Sequence, residues 1–202
     1  WPEWLPKKNH DINNIIEEYQ ENLKSLRGKI SLVAGGPPCQ GFSMAGRRKE
    51  EDDRNKLIDS YIKFIELVQP KILFFENVRG FTIGFKQGNK RGEAYSVYVV
   101  NKLKELGYDV KGEIVDFSEY GVTQKRQRFI LVGVKNGKAE DFFELIKSNR
   151  ANFFKSKEIN DTTSLSDAIS DLLQSNGTEE SPDTKNFRAG IYTKATTSYQ
   201  KL

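Results

Sequence analysis

Apolar residues recur at helical spacing from Asp11 to Leu26, where Ile12, Ile15, Ile16, Tyr19, Leu23 and Leu26 follow one another in three- and four-residue steps and Gly28 supplies a terminator. The pattern predicts an amphipathic helix. Ile30 to Ala34 is then a short, mostly apolar run broken by Gly35-Gly36-Pro37-Pro38, as expected of a buried strand that ends in a loop. A second helix is signalled by Leu57, Ile58, Tyr61, Ile62, Ile65 and Val68, closing before Pro70, and Lys71 to Phe75 forms a second continuous apolar strand. Continuous rather than alternating apolar runs point to strands buried on both faces, and so to a mostly parallel, doubly wound sheet covered by helices. The predicted fold class is α/β.

Phe81 to Glu93, rich in glycine, lysine and asparagine, reads as a loop, and Tyr95 to Leu106 resumes helical spacing up to Gly107. Val110 to Val115 and Phe129 to Val134 are two further strands, predicted to form a hairpin-like pair at the end of the sheet. Beyond Asn136 the pattern weakens. Asp141 to Ile146 looks helical, Lys155 to Thr163 is polar, Ser164-Leu165-Ser166-Asp167 resembles a capping box opening a short helix through Leu173, and Gln174 to Lys185 is rich in turn residues. The expected organisation is a core over 1–150 and an extension over 151–202.

Composition narrows the class. The 202 residues are 37% hydrophobic and 30% charged, and no apolar run approaches the ~20 residues of a membrane span. Trp1-Pro2-Glu3-Trp4 has neither the basic start nor the apolar stretch of a secretory signal, so the cytoplasm, with or without nucleoid association, is the expected location. A single cysteine excludes an internal disulfide and a cysteine-rich metal cluster, and a single histidine leaves little for a zinc site; no metal is expected. The net charge of +4 suits a polyanionic partner but equally describes an ordinary basic surface.

Against that background three segments stand out. Ligands in open α/β sheets sit beyond the carboxyl ends of strands, where Cys39 and Glu76 are both predicted to lie. A lone cysteine is most often a buried packing thiol. Cys39, however, follows a stiff Gly-Gly-Pro-Pro turn, which presents a side chain rigidly, as a nucleophile requires. A thiol with an ordinary pKa of ~8.5 is scarcely ionised at neutral pH, so cationic help is needed, and arginines are the candidates. Glu76, in Phe74-Phe75-Glu76-Asn77-Val78, is placed at the rim of an apolar strand, where partial desolvation would let it share a proton with a ligand; the alternative is a solvated strand-end carboxylate. Strand alternation would put Gln124, Arg126 and Arg128 on one side, as a site wall or merely as a basic edge that discourages pairing.

Taken together, Gly35-Gly36-Pro37-Pro38-Cys39-Gln40-Gly41-Phe42-Ser43, then Glu76-Asn77-Val78, then Gln124-x-Arg126-x-Arg128 resemble the ordered motifs of the DNA cytosine-C5 methyltransferases, over a match from Asp11 to Val134. The resemblance implies an enzyme of restriction-modification or related DNA methylation that uses S-adenosylmethionine on duplex DNA with base flipping. Cys39 would attack C6 of cytosine, Glu76 would hold or protonate N3, Arg126 would hydrogen-bond the ring carbonyl oxygen, and Arg128 would support the site. It further implies cofactor contacts from Asp11, Ile12, Pro38, Asn55 and Leu57, and substrate contacts from Pro38, Gln40, Ser43, Asn77 and Gln124. Asp11 could equally be a simple helix N-cap. Phosphate contacts from Arg47, Arg48 and Lys49 compete with their reading as a solvated basic run.

Members of this family normally open with a strand, a glycine-rich cofactor loop and an acidic residue for the ribose, and they carry a target-recognition region and a closing motif. None is present between Trp1 and Leu202. This predicts that the chain is part of a larger protein, completed by the rest of the same enzyme or by a complementing chain, and that these residues alone bind the cofactor poorly. A related branch that methylates tRNA usually has Cys-Gln-Pro-Phe-Thr where this chain has Cys39-Gln40-Gly41-Phe42-Ser43, so DNA is the expected substrate. The alternatives are tRNA methylation and an inactive nucleic-acid-binding fragment.

Overall fold

The computed structural model describes residues 2–38, 56–84, 86–87 and 90–202. The chain divides into two compact units, one of residues 1–115 and 127–144, the other of residues 116–126 and 145–202.

In the first unit, α1 (Ile12–Glu18) and α2 (Gln20–Ser25) replace the single helix expected from Asp11 to Leu26. Tyr19 leaves helical geometry at φ −118°, ψ 26°, and its ring packs 5.5 Å from that of Trp4. The apolar spacing still works across the break, because Ile15, Ile16 and Leu26 pack with Leu23 against Leu67 and Val68. Next come β1 (Leu32–Gly35), α3 (Lys56–Val68), β2 (Ile72–Val78), a single 3₁₀ turn (Arg79–Thr82), and a two-stranded ribbon of β3 (Lys86–Gln87) and β4 (Lys90–Arg91). The helix α4 (Tyr95–Glu105) follows, then β5 (Asp109–Asp116), β6 (Gln127–Val134) and the start of α5 (Glu140–Lys157).

The main sheet has the order β1-β2-β6-β5. β1 and β2 are parallel, joined through α3, but β2 and β6 are antiparallel, with Ile72 opposite Val134 and Val78 opposite Arg128. The sheet therefore combines parallel and antiparallel pairs within the expected α/β class. The expected neighbours β5 and β6 do sit together, with β5 at one edge. At the other edge Leu32 is 54% exposed, and Ile72 beside it is 41% exposed. Alternation along β2 sends Leu73, Phe75 and Asn77 inward to one face, where Ile58, Tyr61 and Ile65 of α3 and Val99 and Leu103 of α4 complete the core. On the opposite face Phe74 meets Phe142 of α5 edge-on, with centroids 6.1 Å apart.

Gly35, the last residue of β1, allows α3 to come this close. A Cβ there would lie 2.6 Å from the Tyr61 ring, which is buried and held by a hydrogen bond of 3.2 Å from its hydroxyl to the Phe74 carbonyl. We expect Gly35→Ala to lower stability by about 1–3 kcal/mol, the usual effect of overpacking. Urea unfolding should show a reduced midpoint with an unchanged slope, and an unchanged midpoint would refute the close approach.

The second unit contains the rest of α5, α6 (Leu165–Ile169), and a hairpin of β7 (Thr178–Glu180) and β8 (Arg188–Gly190). The predicted capping box at Ser164 is present: its hydroxyl accepts from the Asp167 N–H at 3.2 Å, and the Asp167 carboxylate accepts from the Ser164 N–H at 2.7 Å. The Ser164 N–H, and after it the Ser164 hydroxyl donating to the same carboxylate oxygen at 2.7 Å, hold the Asp167 carboxyl below its ordinary pKa. No helix among the described residues is long and apolar enough to cross a membrane.

Candidate functional site

Glu76 lies within β2, not past its end: the ladder continues through Val78, and Glu76 stands opposite Ile130 of β6. The strand extends beyond its apolar run because β6 supplies partners for three more residues. Glu76 and Val78 share one face, and Arg128, opposite Val78, shares it too. The two charged residues are thus diagonal neighbours across an antiparallel pair, a separation that long side chains can span. Arg128 Nε–H donates to Glu76 Oε1 at 2.8 Å, with the two side chains 19% and 38% exposed. Arg128 also donates through Nη1 to the Gln127 carbonyl at 2.9 Å, which fixes the guanidinium plane.

The second carboxylate oxygen of Glu76 faces the glycine-proline segment. A Cβ added to Gly36 would lie 3.4 Å from Oε2, so glycine leaves open the space above that oxygen. Asn77, on the core face of the strand and only 1% exposed, reaches the same segment from the other side: its Nδ2–H donates to the Pro37 carbonyl at 3.2 Å, and its Oδ1 accepts from the Val78 N–H at 2.9 Å. A buried amide with both ends engaged acts as a clamp, and breaking it would leave a desolvated polar group. The sequence-based reading gave Asn77 a substrate contact; the structure shows it holding the backbone one residue before Pro38. Gly36, Pro37, Glu76, Asn77 and Arg128 are thereby gathered in one place. Arg79 adds a second link between the strands, donating to the Gln127 side chain at 2.8 Å; nothing in its sequence context singled it out.

Cys39, Gln40, Ser43 and Asn55, with Arg47, Arg48 and Lys49, lie outside the described residues. Pro38, the last described residue before them, is exposed. Gln124 and Arg126 are exposed members of the second unit, and the Arg126 carbonyl accepts from the Phe117 N–H at 2.9 Å. Only Gln127 and Arg128 of the basic motif are in a strand. The alternation expected from Gln124 to Arg128 therefore does not hold before Gln127, because the preceding residues form bends and irregular backbone.

Asp11 caps α1, accepting from the Asn13 N–H at 2.8 Å. Asn13 in turn accepts from the Ser60 hydroxyl of α3 at 2.6 Å, so the start of α1 meets the N-terminal half of α3. Ile12 and Leu57, which neighbour these contacts in sequence, are both half-buried, and Asp11 is exposed. Among the described residues no group of histidine, cysteine or acidic side chains could hold a metal ion.

Comparisons with known proteins bear on this arrangement. The family model described as C-5 cytosine-specific DNA methylase matches residues 3–201. A Type II methyltransferase of Xanthomonas oryzae, M.XorII, is 33% identical over 139 residues, covering 66% of this chain and 31% of the relative. M.AgeI of Thalassovita gelatinovora is 32% identical over 167 residues, covering 77% and 38%. M1.HphI of Haemophilus parahaemolyticus is 40% identical over 113 residues, covering 54% and 28%. The chain thus spans about a third of the length of these curated relatives. Among solved structures, the Dnmt2 methyltransferase of S. pombe superposes with a TM-score of 0.49 at 18% identity, covering 68% of this chain and 39% of that one.

Proposed function

Because the chain belongs to the C-5 cytosine-specific DNA methylase family, we propose that it carries the reacting groups of an enzyme that methylates C5 of cytosine in duplex DNA. The observation that carries the proposal is the Asn77 clamp on Pro37, which holds the segment preceding Cys39 where Gly36 lies beside Oε2 of Glu76.

In the proposed mechanism the Cys39 thiolate adds to C6 of the base, forming a sulfur–carbon bond and moving electron density toward C5 and N3. A soft sulfur nucleophile makes this addition only when the ring is electron-poor. Glu76 meets that need by sharing a proton at N3 through Oε2, while Oε1 stays with Arg128. The Arg128 cation thus orients the carboxyl, and Arg126 is assigned to the ring carbonyl oxygen. C5 then becomes the carbon that accepts a methyl group, which S-adenosylmethionine supplies when bound. Loss of the C5 proton to a base, with breakage of the sulfur–carbon bond, restores the Cys39 thiolate and aromatic ring. Asp11, Ile12, Pro38, Asn55 and Leu57 are assigned to the cofactor, and Gln40, Ser43 and Gln124 to the nucleic acid around the target. C6 is inaccessible inside a stacked duplex, so the base is flipped out, at a cost of roughly a few kcal/mol. The cytoplasm or nucleoid, where the DNA is, is the proposed location.

Transfer of labelled methyl groups tests the substrate. We expect incorporation into duplex DNA to exceed incorporation into tRNA by a wide margin; the reverse preference would overturn the assignment of DNA.

A further inference from the structure

At the end of the sheet remote from Pro38, where β2 begins and β6 ends, the first unit has a cleft of about 550 Å³ lined by Arg27, Gln69, Lys71, Ile72, Val134 and Lys135, among others. Backbone hydrogen bonds stitch its walls together. The Gly28 N–H donates to the Val68 carbonyl at 3.0 Å, and the Lys135 N–H donates to the Lys71 carbonyl at 3.0 Å. Three cations on three separate segments are thereby held around one hollow.

Lys135 is fixed in place. Its ammonium donates to the Leu106 carbonyl and sits 4.3 Å from the centroid of the Tyr108 ring, whose hydroxyl donates to the Pro70 carbonyl at 2.8 Å. Burial, and then the neighbouring Arg27 guanidinium, lower the Lys135 pKa from its ordinary value. Among the described residues no carboxylate forms an ion pair with Arg27, Lys71 or Lys135, whereas Lys111 in the same unit pairs with Glu140 at 2.7 Å. Like charges gathered in a concave site without a counter-charge repel one another, and a bound anion removes that repulsion.

We propose that this cleft binds a phosphorylated small molecule through a pyrophosphate group. Arg27 provides a planar fork suited to two phosphate oxygens, and Lys71 and Lys135 act as point charges on either side. The volume falls within the range of small-molecule pockets, ~300–1,000 Å³. Position separates this ligand from the DNA substrate: at ~3.3 Å per residue, the run from Ile72 to Glu76 places the cleft about 13 Å from Glu76 along β2. The inference does not depend on the proposed reaction.

Isothermal titration calorimetry of the full chain with inorganic pyrophosphate, at an ionic strength of ~0.15 M where exposed charges are screened, tests it. We expect saturable binding at one site, weakened roughly tenfold or more in the Arg27→Gln, Lys71→Gln double variant. Both side chains are exposed and make no side-chain hydrogen bond among the described residues, so the variant should keep its thermal transition. Absence of binding by the unaltered chain, or equal binding by the variant, would overturn the proposal. Duplex DNA affinity measured on the same pair should be unchanged; a parallel loss would assign the cleft to the DNA backbone and overturn it as well.

Discussion

Replacing Cys39 with serine is expected to lower methyl transfer on the order of 10⁴-fold or more, the scale seen when a covalent nucleophile is removed from other enzymes. The substitution exchanges sulfur for oxygen and little else. A serine hydroxyl is scarcely ionised at neutral pH, and oxygen is a poorer nucleophile toward an electron-poor ring carbon, so addition to C6 fails while the size of the side chain is nearly kept. Duplex DNA carrying 5-fluorocytosine gives a second readout. Fluorine at C5 blocks the proton loss that frees the enzyme, so the unaltered protein should accumulate a covalent adduct stable to denaturing electrophoresis. The Cys39→Ser variant should form none while still binding the duplex. An adduct that survives the substitution would remove Cys39 from its assigned role.

A second large effect is expected from Glu76→Gln: a loss of kcat of about 10²- to 10⁴-fold, the usual worth of a positioned acid or base, with KM for DNA nearly unchanged. The geometry makes this substitution discriminating. An amide oxygen can still accept the Arg128 Nε–H that now reaches Oε1 at 2.8 Å, so the diagonal contact between β2 and β6 survives. What disappears is a carboxyl able to carry a proton at the open oxygen facing Gly36. A purely structural Glu76 would instead show a shifted melting temperature with kcat preserved, and that result would refute the assignment.

Much of the first unit could be read from apolar spacing because its helices and strands bury one stripe or one face in a shared core. Ile58, Tyr61 and Ile65 were visible as a helical stripe, and Leu73 and Phe75 as a strand, for the same reason that they are buried. The reading failed where partners rather than composition decide. Glu76 and Asn77 interrupt the apolar run, so β2 seemed to end early; only the β6 ladder keeps it extended. Nor did the apolar pattern show that β6 runs antiparallel to β2, since a strand buried on both faces looks alike in either direction. The helix α5 continues through the polar stretch Ser148-Asn149-Arg150 to Lys157, well beyond the expected Ile146, with Phe154 buried on its inner side. The β7–β8 hairpin lies partly in a stretch that signalled only turns, because β7 is wholly exposed and shows no alternation. The candidate site was legible as motifs but not as contacts: the Glu76–Arg128 pair and the Asn77–Pro37 clamp depend on which strands become neighbours.

That pairing has a consequence for how such a chain can vary. Glu76 and Arg128 meet because of the phase of two ladders, and a one-residue slip of β6 along β2 would turn Arg128 to the opposite face and send its charge toward Phe75 and Leu73. The connection between Val78 and Gln127 exerts no such control, since the sheet, not the intervening chain, sets their separation. Insertions in the loops that join β2 to β6 by way of α4 and β5 are therefore tolerable in a way that insertions within the strands are not, and the two motifs keep time with each other through the ladder itself.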